Sequence, residues 1–125
     1  MSKNTIISIF IIVAALGVVL FLVNKEDQKP GQYDEFASCL AEETTYYGAF
    51  WCSNCQNQEA LFGRKSKAKL NYVECSTPDG QGQTDVCIEA GIESYPTWEF
   101  SDGERLMGVT QLETLAEKTS CELPS

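Results

Sequence analysis

The stretch Thr45-Tyr46-Tyr47-Gly48-Ala49-Phe50-Trp51-Cys52-Ser53-Asn54-Cys55 decides the fold of this 125-residue chain. Residues 45–51 form a continuous apolar and aromatic run, which is typical of a strand that is covered on both faces. Residues 53–62 suit a helix, and Gly63 followed by cations is a plausible stop for it. We therefore predict a central strand that ends at Cys52, where a helix begins.

Cys52 and Cys55 are the candidate catalytic residues. Unpaired backbone N–H groups and the positive end of the helix dipole favour a thiolate at the position of Cys52. Cys55 follows one helical turn later, near enough to form a disulfide with Cys52 and more enclosed. The spacing predicts thiol–disulfide exchange with Cys52 as the nucleophile and Cys55 as the resolving cysteine, a reaction that requires no cofactor.

Two structural interpretations of this motif compete with the catalytic one. A zinc knuckle would need a second close cysteine pair or histidines, whereas Cys75 and Cys87 are 12 residues apart and histidine is absent. We therefore expect no metal site. A purely structural disulfide is the second alternative, although a strand-to-helix junction is a poor place for one.

The segments around this stretch alternate between helical and extended patterns. Apolar positions at helical spacing, runs of strand length and turn-forming residues delimit each of them. The predicted elements are a helix over 32–42, the strand 45–51, the helix 53–62, a strand over 70–75, a short helix that Thr84 caps and that ends at Gly91, a hairpin of 96–100 and 105–109, and a last helix opened by the capping box Thr110-Gln111-Leu112-Glu113. This order predicts an α/β domain with a central mixed sheet flanked by helices.

The N-terminal segment is unlike the rest of the chain. Residues 5–23 contain no charge and are long enough for a helix to cross a hydrocarbon core of roughly 30 Å. A cleaved signal peptide is the alternative, but its apolar region is shorter and is followed by a small-x-small site, whereas Ala14, Ala15 and Gly17 lie in mid-span. We predict a tail at 1–4, a single transmembrane anchor at 5–23, a linker at 24–31 and one domain at 32–125.

Charge and cysteine content indicate the compartment of the domain. A net charge of −9 argues against a nucleic-acid partner, and the basic run 64–69 reads as a solvated helix end. Lys3 on one side of the span and Lys25 and Lys29 on the other leave the orientation open. Six cysteines suit an oxidising space, so we expect a single-pass protein of the cytoplasmic membrane with its C-terminal domain extracytoplasmic.

Three stretches, the first of them within the opening one, together carry a resemblance to a known family. Residues 47–55, 72–76 and 90–98 resemble the thioredoxin-like domain that is fused to, or accompanies, bacterial homologues of vitamin K epoxide reductase, and the resemblance covers about Phe36 to Pro124. It implies a thioredoxin-like fold and a protein disulfide oxidase or isomerase. In that family a quinone-reducing membrane domain oxidises the thioredoxin-like domain, which passes its disulfide to secreted proteins. With only one predicted span, this chain would need a separate membrane partner of that kind, with secreted or membrane protein thiols and disulfides as its substrates.

The resemblance also implies roles for residues outside the cysteine motif. Tyr95-Pro96 would hold a cis proline that docks substrate backbone beside the cysteine pair, and Trp51 would line the substrate-binding surface. Taken alone, Pro96 could equally begin a strand or mark a surface turn, and Trp51 could be a core aromatic. Structural disulfides would join Cys75 to Cys87, as the family suggests, and Cys39 to Cys121, although six cysteines allow 15 connectivities.

Two departures from ordinary thioredoxins bear on the direction of the reaction. The buried acid that thioredoxins carry six residues before the first cysteine is Tyr46 here, and their inter-cysteine Gly-Pro is Ser53-Asn54. Loss of the acid removes a proton acceptor for Cys55. These departures weigh against a reductase role. The two alternatives to the oxidase or isomerase are a membrane-tethered reductase of extracytoplasmic disulfides and a redox-inactive anchored binding module.

Overall fold

The N-terminal residues form one long helix in the computed structural model of the chain, which describes residues 1–27 and 29–125. Helix α1 (Lys3–Asp27) belongs to the first of two compact units, Met1–Pro30 and Gly31–Ser125. Its segment Lys3–Lys25 is long and apolar enough to cross a membrane. The helix continues through the first four residues of the predicted linker, whose Gln28 lies outside the described residues.

The second unit is built on a four-stranded sheet. Its strands are β1 (Thr44–Gly48), β2 (Tyr72–Glu74), β3 (Thr97–Phe100) and β4 (Arg105–Met107), and its helices are α2 (Asp34–Glu43), α3 (Ser53–Ser66), α4 (Asp85–Glu89) and α5 (Leu112–Thr119), with a 3-10 turn at Lys67–Lys69. The spatial order is β2-β1-β3-β4, with β1 parallel to β2 and antiparallel to β3, which pairs antiparallel with β4. A parallel β-α-β unit is thus joined to a hairpin and a last helix. This is the thioredoxin-like fold, and the predicted fold class is confirmed.

The two faces of the sheet have separate cores because successive strand residues point to opposite sides. On one face Tyr46 and Trp98, whose ring centroids are 4.5 Å apart, pack against apolar side chains of α2, α3 and α5. On the other face Tyr47 packs with Cys75, Cys87 and Ile92. Burial of each large apolar side chain contributes about 1.5–3 kcal/mol. Strand β1 therefore contributes side chains to both cores, as expected for a central strand.

Both strands of the parallel pair are shorter than predicted. Strand β1 ends at Gly48 instead of Trp51, because the chain turns there and the backbone N–H of Cys52 donates to the carbonyl of Ala49 at 3.0 Å. Strand β2 begins at Tyr72, since the residues predicted to start it close the 3-10 turn with a hydrogen bond from Leu70 N–H to Lys67 O. Three residues therefore separate the end of β1 from Cys52.

The predicted end of α3 at Phe62 marks an interruption within the helix and not its last residue. Gly63 takes a positive φ of 82°, which a glycine adopts readily, and the helix then resumes as far as Ser66. The buried Ser66 hydroxyl donates to Asp34 Oδ1 at 2.9 Å and accepts from Tyr33 N–H at 3.0 Å. These bonds to the start of α2 account for the additional turn.

Two predicted side-chain caps are wrong. Thr84 occupies the N-cap position of α4, but its hydroxyl donates to the carbonyl of Glu74 at 3.0 Å. The N-cap of α5 is Gln111, and the expected capping box at Thr110 does not form. The amide of Gln58 bonds both the N–H of Thr110, at 2.7 Å, and its carbonyl, at 2.9 Å. Tertiary hydrogen bonds thus replace the local ones.

Candidate active site

Cys52 is the N-cap residue of α3, and its thiol is positioned by backbone groups. Its φ of −76° and ψ of 115° are extended, and its Sγ accepts a hydrogen bond from Cys55 N–H at 3.1 Å. The Sγ also lies 3.7 Å from the carbonyl oxygen of Tyr95, to which a thiol can donate. A helix N-terminus favours a negative charge, so this position suits a nucleophilic sulfur.

Cys55 is more enclosed, with a relative exposure of 1% against 7% for Cys52. Burial raises the pKa of the Cys55 thiol to about 12, and a hydrogen bond with the Cys52 side chain acts in the same direction. Both cysteines are free thiols in this structure. The pair therefore consists of the Cys52 thiol at the start of α3 and the more buried Cys55 thiol, which its raised pKa keeps protonated.

The Tyr95–Pro96 peptide bond lies beside the pair and is cis. The Pro96 side chain is fully buried, whereas Tyr95 is half-buried and packs against the cluster of Ala49, Cys52 and Cys55. The parts of this segment available to a docking molecule are therefore Tyr95 and its backbone.

Trp51 lies on the surface next to Cys52, with 52% of its area exposed. Its indole N–H donates to Ser76 Oγ at 2.9 Å, and its ring meets Tyr95 edge-on at a centroid distance of 6.0 Å. Phe50 is similarly exposed. Trp51 and Tyr95 thus lie beside Cys52, and Phe50 precedes Trp51 in the chain. We call the three aromatic side chains Phe50, Trp51 and Tyr95 the aromatic rim.

The other four cysteines form two disulfides. Cys39 of α2 is bonded to Cys121, just after α5, and Cys75 is bonded to Cys87 of α4. The second bond closes the segment that contains Ser76, the hydrogen-bond partner of Trp51. Within residues 1–27 and 29–125, no group of three or more histidine, cysteine, aspartate or glutamate side chains could hold a metal ion.

A cavity on the α3 side of β2 contains residues to which the sequence analysis assigned no role. Its volume is about 580 Å³, and its wall includes Tyr46, Glu59, Tyr72 and Glu74. The β1–β2 register pairs Tyr46 with Tyr72 and Gly48 with Glu74. The two-residue period of a strand, which places Tyr72 and Glu74 on one face, was the available sequence signal. Only the register shows that this face adjoins Cys55.

Comparison with known proteins shows a relative that shares nearly half of its aligned residues with this chain. No protein-family model matches the chain. The chain is 46% identical over 81 residues to the thiol-disulfide oxidoreductase LTO1 of Arabidopsis thaliana, and the match covers 62% of this chain but 21% of that protein. The chain thus spans about a fifth of the length of this curated relative. Among solved structures, the oxidised thioredoxin of Plasmodium falciparum matches 70% of this chain and 91% of its own, with 24% identity and a TM-score of 0.44.

Proposed function

We propose that this chain is a membrane-anchored thiol-disulfide oxidoreductase that exchanges disulfides with proteins through Cys52 and Cys55. The observation that carries the proposal is the asymmetric pair at the start of α3, in which Cys55 N–H donates to Cys52 Sγ at 3.1 Å while the Cys55 thiol itself is buried. The 46% identity to a thiol-disulfide oxidoreductase supports it. The exposed aromatic rim supplies an apolar surface beside the nucleophile.

In the proposed reaction the protein donates its own disulfide to a substrate dithiol. A substrate thiolate attacks Cys52 Sγ, the Cys52–Cys55 bond breaks, and Cys55 leaves as a thiolate that takes up a proton. A second substrate thiolate then attacks the substrate sulfur of the mixed disulfide and expels Cys52 as a thiolate. The substrate loses two electrons to the cysteine pair, and no cofactor takes part.

Substrate proteins would dock on the aromatic rim with an extended segment beside Tyr95 and Pro96. The rim exposes apolar area next to Cys52, and burial of such area drives association. The two disulfides, Cys39–Cys121 and Cys75–Cys87, would be structural and take no part in exchange.

Residues 5–23 would cross the cytoplasmic membrane, and residues 24–31 would tether the domain 32–125 on the extracytoplasmic side. The apolar helix α1 and the two disulfides support this arrangement. A quinone-linked membrane protein of the vitamin K epoxide reductase type would reoxidise Cys52 and Cys55. The anchor would keep the domain close to that partner.

A trapping experiment tests the exchange reaction. In a Cys55→Ser variant the mixed disulfide at Cys52 cannot be resolved, so we expect covalent complexes with substrate proteins on non-reducing gels. The matched control is the Cys52→Ser/Cys55→Ser double variant, which should trap nothing. Absence of complexes with the single variant would reject exchange and favour the binding-module alternative.

The redox state of the pair in cells tests the direction of electron flow. If the protein is an oxidase, Cys52 and Cys55 should be mostly oxidised and resist alkylation by a membrane-impermeant reagent until a reductant is added. Deletion of the membrane oxidant should leave the pair reduced and open to the reagent. A pair that is mostly reduced in unmodified cells would contradict the oxidase and favour the tethered reductase.

A further inference from the structure

The enclosed position of Cys55 raises the question of how its proton leaves and returns. In exchange, Cys55 must lose a proton to attack a mixed disulfide and regain one when it is the leaving group. Its thiol is 1% exposed and its pKa is raised by burial. Water therefore has little direct access, and a polar route through the protein is needed.

The absence of a side chain at Gly48 brings Tyr72 close to Cys55. A Cβ atom added to Gly48 would lie 3.3 Å from Cys55 Sγ, 3.5 Å from Tyr72 Oη and 2.9 Å from Tyr72 Cε2. Cys55 Sγ and Tyr72 Oη thus both lie within 3.5 Å of one point beside Gly48. The route proposed below includes one water molecule between these two groups. A larger residue at position 48 would fill this space.

The Tyr72 hydroxyl is hydrogen-bonded to the Glu74 carboxylate, which backbone N–H groups hold in place. Tyr72 Oη donates to Glu74 Oε2 at 2.7 Å, while Glu74 Oε1 accepts from the backbone N–H groups of Ser76, at 2.8 Å, and Phe50, at 3.3 Å. Tyr72 is 38% exposed, and Glu74 lines the cavity beside it. The two residues therefore connect the surroundings of a buried thiol with solvent.

The other titratable groups around Cys55 are less suited to this task. From β1, the Tyr46 hydroxyl is also close to Cys55, where it acts to lower the pKa of the thiol, but its hydrogen bond goes to the carbonyl of Cys55 at 3.2 Å. Burial raises the pKa of both the Tyr46 and the Tyr72 hydroxyl well above the usual range, so what distinguishes Tyr72 is its hydrogen bond to a carboxylate. From α3, Glu59 is paired with Lys67 at 2.7 Å. Cys52 is the reaction partner itself, and the Tyr95 hydroxyl, from the segment before β3, accepts from Gln83 at 2.8 Å.

We infer that Tyr72 and Glu74 form the proton route of Cys55, with Glu74 as the acceptor and the Tyr72 hydroxyl as the relay. The S–H bond of Cys55 breaks and its proton reaches Tyr72 Oη, through the bridging water, as the proton of Tyr72 passes to Glu74 Oε2. The Cys55 thiolate attacks Cys52 Sγ in the mixed disulfide and the partner leaves as a thiolate. Glu74 then releases its proton to solvent. The reverse sequence protonates Cys55 when it is the leaving group, so the inference rests on the proposed exchange reaction but not on its direction.

The test uses the reduced full chain in detergent micelles and the aromatic disulfide dithiobis(nitrobenzoate). Attack by Cys52 releases one coloured thiolate in a bimolecular phase, and attack by Cys55 releases a second in a phase independent of reagent concentration. Tyr72→Phe keeps the ring and Glu74→Gln keeps the shape of the side chain. We expect both variants to slow the second phase about 100-fold at neutral pH without changing the first. Their second-phase rates should also rise about tenfold per pH unit, because hydroxide must then remove the proton, whereas the wild-type rate should rise less steeply.

The controls are two substitutions of the same types at positions away from the cavity. Tyr33→Phe and Glu117→Gln should leave both phases at the wild-type rate. Unchanged second phases in Tyr72→Phe and Glu74→Gln would overturn the inference. A second phase that is slower but keeps the wild-type pH profile would also overturn the inference, since that result would indicate altered geometry and not a lost relay. A wild-type chain without the first phase would instead refute the proposed function.

Discussion

At the scale of single residues, the environment of a side chain decides what it can do, and the two candidate active-site cysteines differ in their environments. Cys52 receives a backbone N–H at the helix start, whereas Cys55 lies in a site where burial is the largest cause of its raised pKa. This difference in environment is the basis of their proposed roles. It also makes the stability of the reduced protein depend on pH.

Reduced protein should lose stability in alkaline solution because of Cys55. Its pKa is about 12 when folded and near 8.5 when unfolded, so the folded state holds the proton more tightly. The resulting stabilisation is complete below about pH 8.5 and decreases as pH rises towards the folded pKa, by at most about 1.4 kcal/mol per pH unit. Denaturant unfolding with excess reductant, followed by tryptophan fluorescence between about pH 7 and 10, measures this loss. A Cys55→Ser variant should lack this component, and parallel stability curves for the two proteins would contradict the prediction.

Gln58 should be the most sensitive polar residue of the core. It is fully buried and bonds the N–H and carbonyl of Thr110 as well as the indole of Trp98, at 3.3 Å. Gln58→Ala would leave these groups without partners, and we expect a loss of about 3 kcal/mol or more in the free energy of unfolding. Asn57→Ala, an exposed neighbour on α3, is the control and should change stability by less than about 0.5 kcal/mol. Equal effects of the two substitutions would refute the role of Gln58.

At the scale of elements, the parallel pairing of β1 with β2 creates the surroundings of Cys55. The register places Gly48 opposite Glu74 and Tyr46 opposite Tyr72, all on the face that α3 covers. Neither strand alone defines this arrangement, because a shift of one residue would exchange the faces.

Gly48→Ala tests the packing between these elements. The added Cβ would lie 2.9 Å from the Tyr72 ring, so the ring must shift, and we expect a destabilisation of about 1–3 kcal/mol. Displacement of Tyr72 should also slow the release of thiolate by Cys55. Combining Gly48→Ala with Tyr72→Ala should relieve the clash and recover part of the stability. If Gly48→Ala were as stable as the wild type, the close approach of β1 to Tyr72 would be wrong.

At the scale of the whole domain, the Cys39–Cys121 disulfide links α2 to the segment just after α5. The bridge spans 82 residues, and loops of this size add about 4 kcal/mol in the chain-entropy account. Cys39→Ala/Cys121→Ala should therefore lower the free energy of unfolding by about that amount. The two-phase reaction of Cys52 and Cys55 should persist in the folded double variant. Loss of that reaction at unchanged stability would show that this disulfide is not structural.

Much of the fold could be predicted because the local patterns were strong. The alternation of helices and strands and the central position of β1 follow from hydrophobic runs whose period reflects local backbone geometry. The errors concern positions where a local pattern competes with a distant partner. The expected cap at Thr110 loses its backbone groups to Gln58, 52 residues earlier, and Thr84 turns its hydroxyl to the carbonyl of Glu74.

The candidate site also has a part that could be predicted from neighbouring residues and a part that depends on distant ones. The sequence by itself determined the Cys52-Ser53-Asn54-Cys55 motif at a strand-to-helix junction, the apolar N-terminal segment and the fold class, since each depends on residues that are close along the chain. Only the tertiary structure decided what surrounds Cys55. Gly48 from β1 and Tyr72 and Glu74 from β2 meet there through strand register and side-chain packing. Contacts between separate elements of the fold leave no periodic signal in a single sequence, which is why the candidate proton route emerged only from the fold.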